Sequence, residues 1–366
     1  MALRRDTFQS CENDLRYPFP AVAFRLFLAV TGLVLIGCDK IQIPGVTEPA
    51  AAKTVAPVTA PAAPSVPQQP VPSPVATQPL NANSMASVDS FLEKAKTTGS
   101  IEDSDLLAVV QAKEGLEKVQ ALNLPGGKIT DAGIAVLPKF PRLTTVDLSG
   151  TLVTDAGIKI VKEMPLLEAL SLTNTKVTDV AMASIADHPI LRELRISSTG
   201  VTDKGLELLG KVKHLEVLDI SRTGITGSGF QKFKGKKTLR VLHAQHSSIH
   251  PNAFNLLVGA PIEDLNLDVT ETNDFAMVSI GTFKKLKHLR LEFCAGISDF
   301  GMSKLNGMKD LETLSVRNVS TLTSATLRPL MACKKLKVLT IVGTLIPASD
   351  AMVLKKKIGT DLQIGL

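Results

Sequence analysis

Tryptophan is absent from the 366 residues and tyrosine occurs once. A chain so poor in flat aromatic side chains has little with which to stack bases. Its net charge of +6, thin over this length, is a solubility charge rather than a nucleic-acid footprint, so nucleic acid is not an expected partner. Cysteine is scarce as well. Cys11, Cys38, Cys294 and Cys333 match neither a zinc ribbon nor a C-x-x-C redox pair, and so few thiols in so long a chain do not make a disulfide framework. The motifs H-E-x-x-H, G-x-S-x-G, G-x-x-x-x-G-K-[ST] and G-x-G-x-x-G are missing too, which removes the usual sequence signs of metalloprotease, hydrolase and nucleotide chemistry. No catalytic residue, cofactor or metal site is assigned.

Long apolar runs are also lacking. The longest follows Arg25 and extends from Leu26 to Gly37. As a helix it spans about 18 Å, short of the roughly 30 Å hydrocarbon core, so residues 1–37 read as an N-terminal extension and a secretory signal rather than a membrane span. Residues 1–20 fit neither signal nor domain, and translation is expected to start downstream, at a non-AUG codon near Val22. The signal ends in Leu35-Ile36-Gly37-Cys38, which resembles the lipobox of bacterial lipoproteins. That resemblance implies acylation of the Cys38 sulfur and cleavage before it. Each buried acyl methylene contributes roughly 0.8 kcal/mol to such an anchor. The expected address is the cell envelope, on the periplasmic or surface face of a membrane.

Residues 38–86 are expected to be a disordered, lipid-anchored linker. Ten of the 21 prolines lie in residues 39–84, with many alanines and few charges. Such a segment cannot bury enough apolar surface to offset its ordering entropy. Stretched as polyproline II it reaches on the order of 140 Å, enough to act as a stalk.

Composition changes at Ser87. Residues 87–118 hold two amphipathic segments, with Phe91, Leu92 and Ala95 in one and Leu106, Leu107, Val109 and Val110 in the other. They are expected to form a helical cap on residues 119–366, where a repeat dominates. Leu143, Val146 and Leu148 stand at L-x-x-L-x-L spacing, followed by Thr151, Val153 and Thr154-Asp155-Ala156-Gly157. Units begin at Val119, Leu143, Leu167, Leu191, Leu215, Leu239, Ile262, Leu286, Leu311 and Leu336, and are numbered repeats 1 to 10 below. A fixed period of about 24 residues marks a stacked array. Leu362-Gln363-Ile364 is either an eleventh partial strand or a C-terminal cap.

Each unit has a physical logic. The L-x-x-L-x-L part suits a short strand with alternate residues inward, and successive strands pair in parallel about 4.8 Å apart. The ninth position (Thr151, Thr175, Thr199, Thr223, Thr270 and Thr344, with Ser247 and Cys294 in the same slot) is expected to hydrogen-bond backbone groups of adjacent turns. Thr-Asp then caps a helix. Gly133, Gly157, Gly205, Gly229 and Gly301 are expected to let the helix approach the strand layer.

These units resemble leucine-rich repeats, specifically the TD-x-G-[LI]-x-x-L subtype of bacterial envelope proteins. The resemblance implies an α/β solenoid, with a curved parallel sheet on the concave side and helices on the convex side. It also implies a non-enzymatic binding scaffold, expected as a monomer, for an unknown protein or envelope macromolecule. Thr replaces the family's usual ladder Asn.

Side chains converge only at the third, fifth and seventh positions of each unit, on the predicted concave face. The candidate ligand-binding residues there are Glu193, Arg195, Asp219, His243, Gln245, Asp264, Asn266, Asp268, His288, Arg290, Glu292 and Arg317. Two other readings compete: a structural spacer with a merely solvated face, and an envelope metal-dependent enzyme built on His243, Asp264, Asp268 and His288. A basic run, Lys232, Lys234, Lys236, Lys237 and Arg240, is either a solvated face or a contact for anionic head groups or acidic polymer.

Overall fold

The computed structural model describes residues 88–98, 101–359 and 362–365. The signal, the Cys38 lipobox and the linker lie outside the described residues.

Every repeat supplies one strand of three residues: β1 (Ala121–Asn123), β2 (Thr145–Asp147), β3 (Ala169–Ser171), β4 (Glu193–Arg195), β5 (Val217–Asp219), β6 (Val241–His243), β7 (Asp264–Asn266), β8 (His288–Arg290), β9 (Thr313–Ser315) and β10 (Val338–Thr340). The middle residue, at the fourth position of the unit, is apolar and buried, and its neighbours face outward. Neighbouring strands pair in parallel and in chain order. Register is strict: Val146, Leu170, Leu194 and Leu218 stand opposite one another in turn. The C-terminal fragment resolves as a strand, β11 (Gln363–Gly365), with Ile364 opposite Leu339.

Parallel pairing requires a crossover, and the rest of each unit provides it. The chain leaves the strand through a left-handed residue at the eighth position, from Gly126 and Gly150 to Asn318 and Gly343. It then starts a short helix: α3 (Asp131–Ile134), α4 (Asp155–Ile158), α5 (Asp179–Ile185), α6 (Asp203–Leu209), α7 (Asp274–Ile280), α8 (Asp299–Met302) and α9 (Leu327–Leu330). Where Thr-Asp degrades to Thr226-Gly227 and His250-Pro251, the helix tightens to 3-10 form over Ser228–Phe233 and Pro251–Leu257. The N-terminal cap, α1 (Val88–Thr98) and α2 (Asp103–Ala112), joins the same core through Phe91, Leu106 and Val109. A helix over Ala348–Ile358 precedes β11. One continuous apolar core runs from Val88 to Leu362.

Three scaffold expectations are corrected. The ninth-position hydroxyls bond within their own turn, three residues back: Thr151 Oγ1 donates to the Leu148 carbonyl at 2.7 Å and Thr175 to Leu172 at 2.7 Å. A side chain this short reaches its own turn before the next one. Only the larger Cys294 thiol crosses, donating to the Leu267 carbonyl at 3.2 Å.

The helix-start Asp does more than favour its own helix end. Thr154 caps α4 by accepting from the Ala156 N–H. Asp131, one repeat earlier, accepts from the Thr154 N–H at 2.8 Å and from its hydroxyl at 2.6 Å. The staple recurs from Asp155 to Thr178, from Asp179 to Thr202 and from Asp203 to Thr226, and even the cap takes part, through Asp103 and Thr130. Gly133, Gly157, Gly205 and Gly301 make room for this carboxylate rather than for the strand layer, and Gly229 for the Asp203 carbonyl and the Leu206 side chain. A Cβ on Gly157 would sit 2.3 Å from Asp131 Oδ1, and one on Gly205 2.5 Å from Asp179 Oδ1.

Candidate functional site

The outward strand face changes character along the array. In repeats 1 to 3 it is lined by small groups, among them Ala121, Thr145, Ala169 and Ser171, leaving an open depression of about 380 Å³ that ends at Glu193 and Arg195 on β4. There Arg195 Nε donates to Glu193 Oε1 at 2.6 Å. On β5, Asp219 turns to its own backbone and accepts from the Ser221 N–H at 3.0 Å. Asn266 on β7 does the same for the Asp268 N–H at 3.0 Å. These two candidates therefore hold turns as well as line the face.

Repeats 6 to 9 bring most of the remaining candidates into contact. His243 Nε2 stands 3.6 Å from Asp264 Oδ1. Asp268 is buried, 7% exposed, and its burial is compensated: Arg290 donates to Oδ2 at 2.8 Å and the Glu292 N–H to Oδ1 at 2.7 Å. Arg290 also reaches Glu292 at 3.3 Å, and Ser315 Oγ donates to Glu292 at 2.7 Å. Burial opposes the Arg290 charge, but the hydrogen bond to Asp268, with the charges of Glu292 and Asp264, overrides it and raises the Arg290 pKa. Paired and hydrogen-bonded groups of this kind lock a surface into one shape. Gln245 Oε1 is buried without a partner. Arg317 is exposed and makes no ion pair among the described residues.

The four residues of the metal-dependent reading do not converge. Asp268 is committed to Arg290, and His288 Nδ1 is hydrogen-bonded to Thr313 Oγ1 at 2.9 Å. Among the described residues no three His, Cys, Asp or Glu side chains are grouped to hold a metal ion. Burial raises the Cys294 pKa and pushes Cys333 up to about 11, so both stay protonated, structural thiols. Of the basic run, Lys232 and Lys234 are exposed, while the other three are held by the fold. Burial lowers the Lys236 pKa; its ammonium donates to the Gly210 and Val212 carbonyls at 3.2 and 2.5 Å and lies 5.3 Å from the Phe233 ring centre. Lys237 donates to the Gly259 carbonyl at 3.0 Å, and Arg240 bonds Glu216 and Glu263.

Sequence reasoning missed two features that a comparison down the columns of the repeat reveals. At the second position, Glu168, Arg192, Glu216, Arg240, Glu263, Lys287, Glu312 and Lys337 alternate in sign. Neighbours pair along the array, Lys287 with Glu263 at 2.7 Å and Lys337 with Glu312 at 2.7 Å. The Lys287 hydrogen bond, opposed by burial and assisted by Arg240, holds the Glu263 carboxyl below its usual range. At the eighth position, the left-handed slot of repeats 5 to 8 holds Arg222, His246, Val269 and Phe293.

Strands in register, one per unit, with a helical return and a buried L-x-x-L-x-L spine define the architecture. That architecture is a leucine-rich-repeat-type solenoid. The leucine-rich repeat family model matches residues 188–210 and 213–234. No curated protein matches the chain. Among solved structures, an internalin from Listeria monocytogenes is similar at 14% identity and a TM-score of 0.45, over 72% of this chain and 93% of the other. A TDR receptor is similar at 14% identity and a TM-score of 0.49, over 76% of this chain and 48% of the other. A strand face that stays open along a stacked array of repeats is a surface suited to protein binding.

Proposed function

We propose that the chain is an envelope lipoprotein, anchored through acyl groups on Cys38, whose TD-x-G-type leucine-rich repeats bind another protein or envelope macromolecule through the strand face. One observation carries the reading. Scaffold positions recur almost unchanged along the array, whereas the third, fifth and seventh positions of repeats 4 to 9 carry a different charged or polar set in nearly every unit. A scaffold residue is explained by the repeat; Asp264, His288 and Arg317 are not. Binding needs no lid or cofactor here, because the Arg290–Asp268–Glu292 contacts already hold the surface in shape.

The test is a crosslinking pull-down from membranes with the full chain. A His243→Ala/Asp264→Ala/Arg317→Ala variant should lose its crosslinked partner by about tenfold or more. Cys38→Ala should move the chain out of the membrane fraction. Unchanged crosslinking overturns the strand-face reading, and membrane retention of the Cys38→Ala chain overturns the anchor.

A further inference from the structure

Every repeat leaves its strand through a residue with positive φ. In five of the ten repeats the slot holds glycine or asparagine, at Gly126, Gly150, Asn174, Asn318 and Gly343, and Ser198 fills it in repeat 4. Glycine meets no steric penalty there, and asparagine visits the region routinely. Repeats 5 to 8 hold larger side chains in four consecutive units, Arg222 (φ 54), His246 (φ 55), Val269 (φ 57) and Phe293 (φ 62), and of these only histidine visits the region with any frequency. A β-branched or bulky residue in this region is a true outlier, and strain of this kind persists where the side chain serves something other than the fold. Among the described residues none of these side chains makes a hydrogen bond or an ion pair. All four are exposed, Val269 by 41% and Phe293 by 52%.

The row is chemically ordered. Its first half is cationic or protonatable, and Arg222 makes no ion pair among the described residues. Its second half is apolar, and the same two repeats expose Phe275 by 77% and Phe300 by 59% at their helix starts. At about 4.8 Å per repeat the row spans roughly 14 Å, the length of about four extended residues. We propose that an extended segment of a partner protein lies along repeats 5 to 8. Its acidic side chains meet Arg222 and His246, and an aromatic or aliphatic side chain meets Val269 and Phe293. Charge complementarity fixes the acidic end and apolar exposure the other. The proposal rests on the strand-face reading, because the row borders that face.

The experiment uses the full chain and an array of short synthetic peptides carrying an acidic block beside an apolar block, with basic–apolar and scrambled controls. Two variants are compared with the parent: Arg222→Asn/His246→Asn/Val269→Asn/Phe293→Asn, and the strand-face variant His243→Ala/Asp264→Ala/Arg317→Ala. The parent should select acidic–apolar peptides. The asparagine variant should lose that binding about tenfold or more and melt several degrees higher, because asparagine relieves the strain. The proposal fails if the parent binds no peptide or prefers the basic–apolar set, or if the asparagine variant binds as the parent does or melts no higher. If only the strand-face variant loses binding, the row is wrong and the strand-face reading survives. If both variants bind like the parent, both readings fall.

Discussion

From Thr130 to Thr226 each helix start is held by the Asp of the repeat before it, whereas at His250 and Asn273 the corresponding residues are Gly227 and Pro251 and no carboxylate is available. His250 and Asn273 then cap their own helices alone, through bonds to the Asn252 and Phe275 N–H groups. The staple returns only with Asp274 and Ser298. Repeats 1 to 3 are stapled and show a plain strand face; the two unstapled helix starts, at His250 and Asn273, fall inside the stretch of repeats 4 to 9 that carries the charged face and the crowded left-handed slots. Fastening thus varies along one array, and in a quasi-one-dimensional protein each part keeps its own local stability.

The largest expected effect tests that division. Asp155 accepts from the Thr178 N–H and hydroxyl and from the Ala181 N–H, so Asp155→Ala strands three donors and should cost about 2–4 kcal/mol in urea unfolding. Asn273→Ala, which removes only a local cap, should cost about 1 kcal/mol. Equal losses would erase the distinction between the two regions.

A smaller effect is expected in the second-position charge ladder. Glu263→Lys places like charges beside Arg240 and Lys287. Melting should fall by on the order of a degree or two at low salt, and the loss should vanish at high salt as the charges are screened. A salt-independent loss would mean that packing, not charge, is at stake.

The smallest is a pH effect in the stapled half. His188 fills a core slot that holds Met164 in the repeat before, and its Nε2 contacts the Met164 carbonyl at 3.0 Å while Nδ1 has no partner. Burial, only partly offset by that hydrogen bond, lowers its pKa from 6.5. The unfolded chain therefore takes up the proton first. The contribution of His188 is complete above pH 6.5 and drains away as pH falls toward the lower folded-state value. His188→Met should flatten the stability–pH curve in that window, and an unchanged slope would assign it to other groups.

Most of the fold was legible because it repeats: a buried fourth position such as Val146 or Leu170 is visible in one unit and confirmed by the next. The staples were not. Thr154 and Asp131 are 23 residues apart, and nothing within one unit says that a carboxylate reaches forward to the next. The strand face was legible as a list of outward positions but not as contacts. Spacing put His243, Asp264, Asp268 and His288 on neighbouring strands, yet side-chain direction decides what meets. Arg290 took Asp268, and Thr313 took His288.

The second-position ladder has a consequence for how this array can change its length. Because sign alternates from Glu168 to Lys337, excising or duplicating a single repeat inside it sets glutamate against glutamate or cation against cation at the seam. Removing or copying two together restores the alternation. The ladder gives the solenoid a parity: repeats 3 to 10 can be edited in pairs at little electrostatic cost, and singly only with a matching reversal of charge.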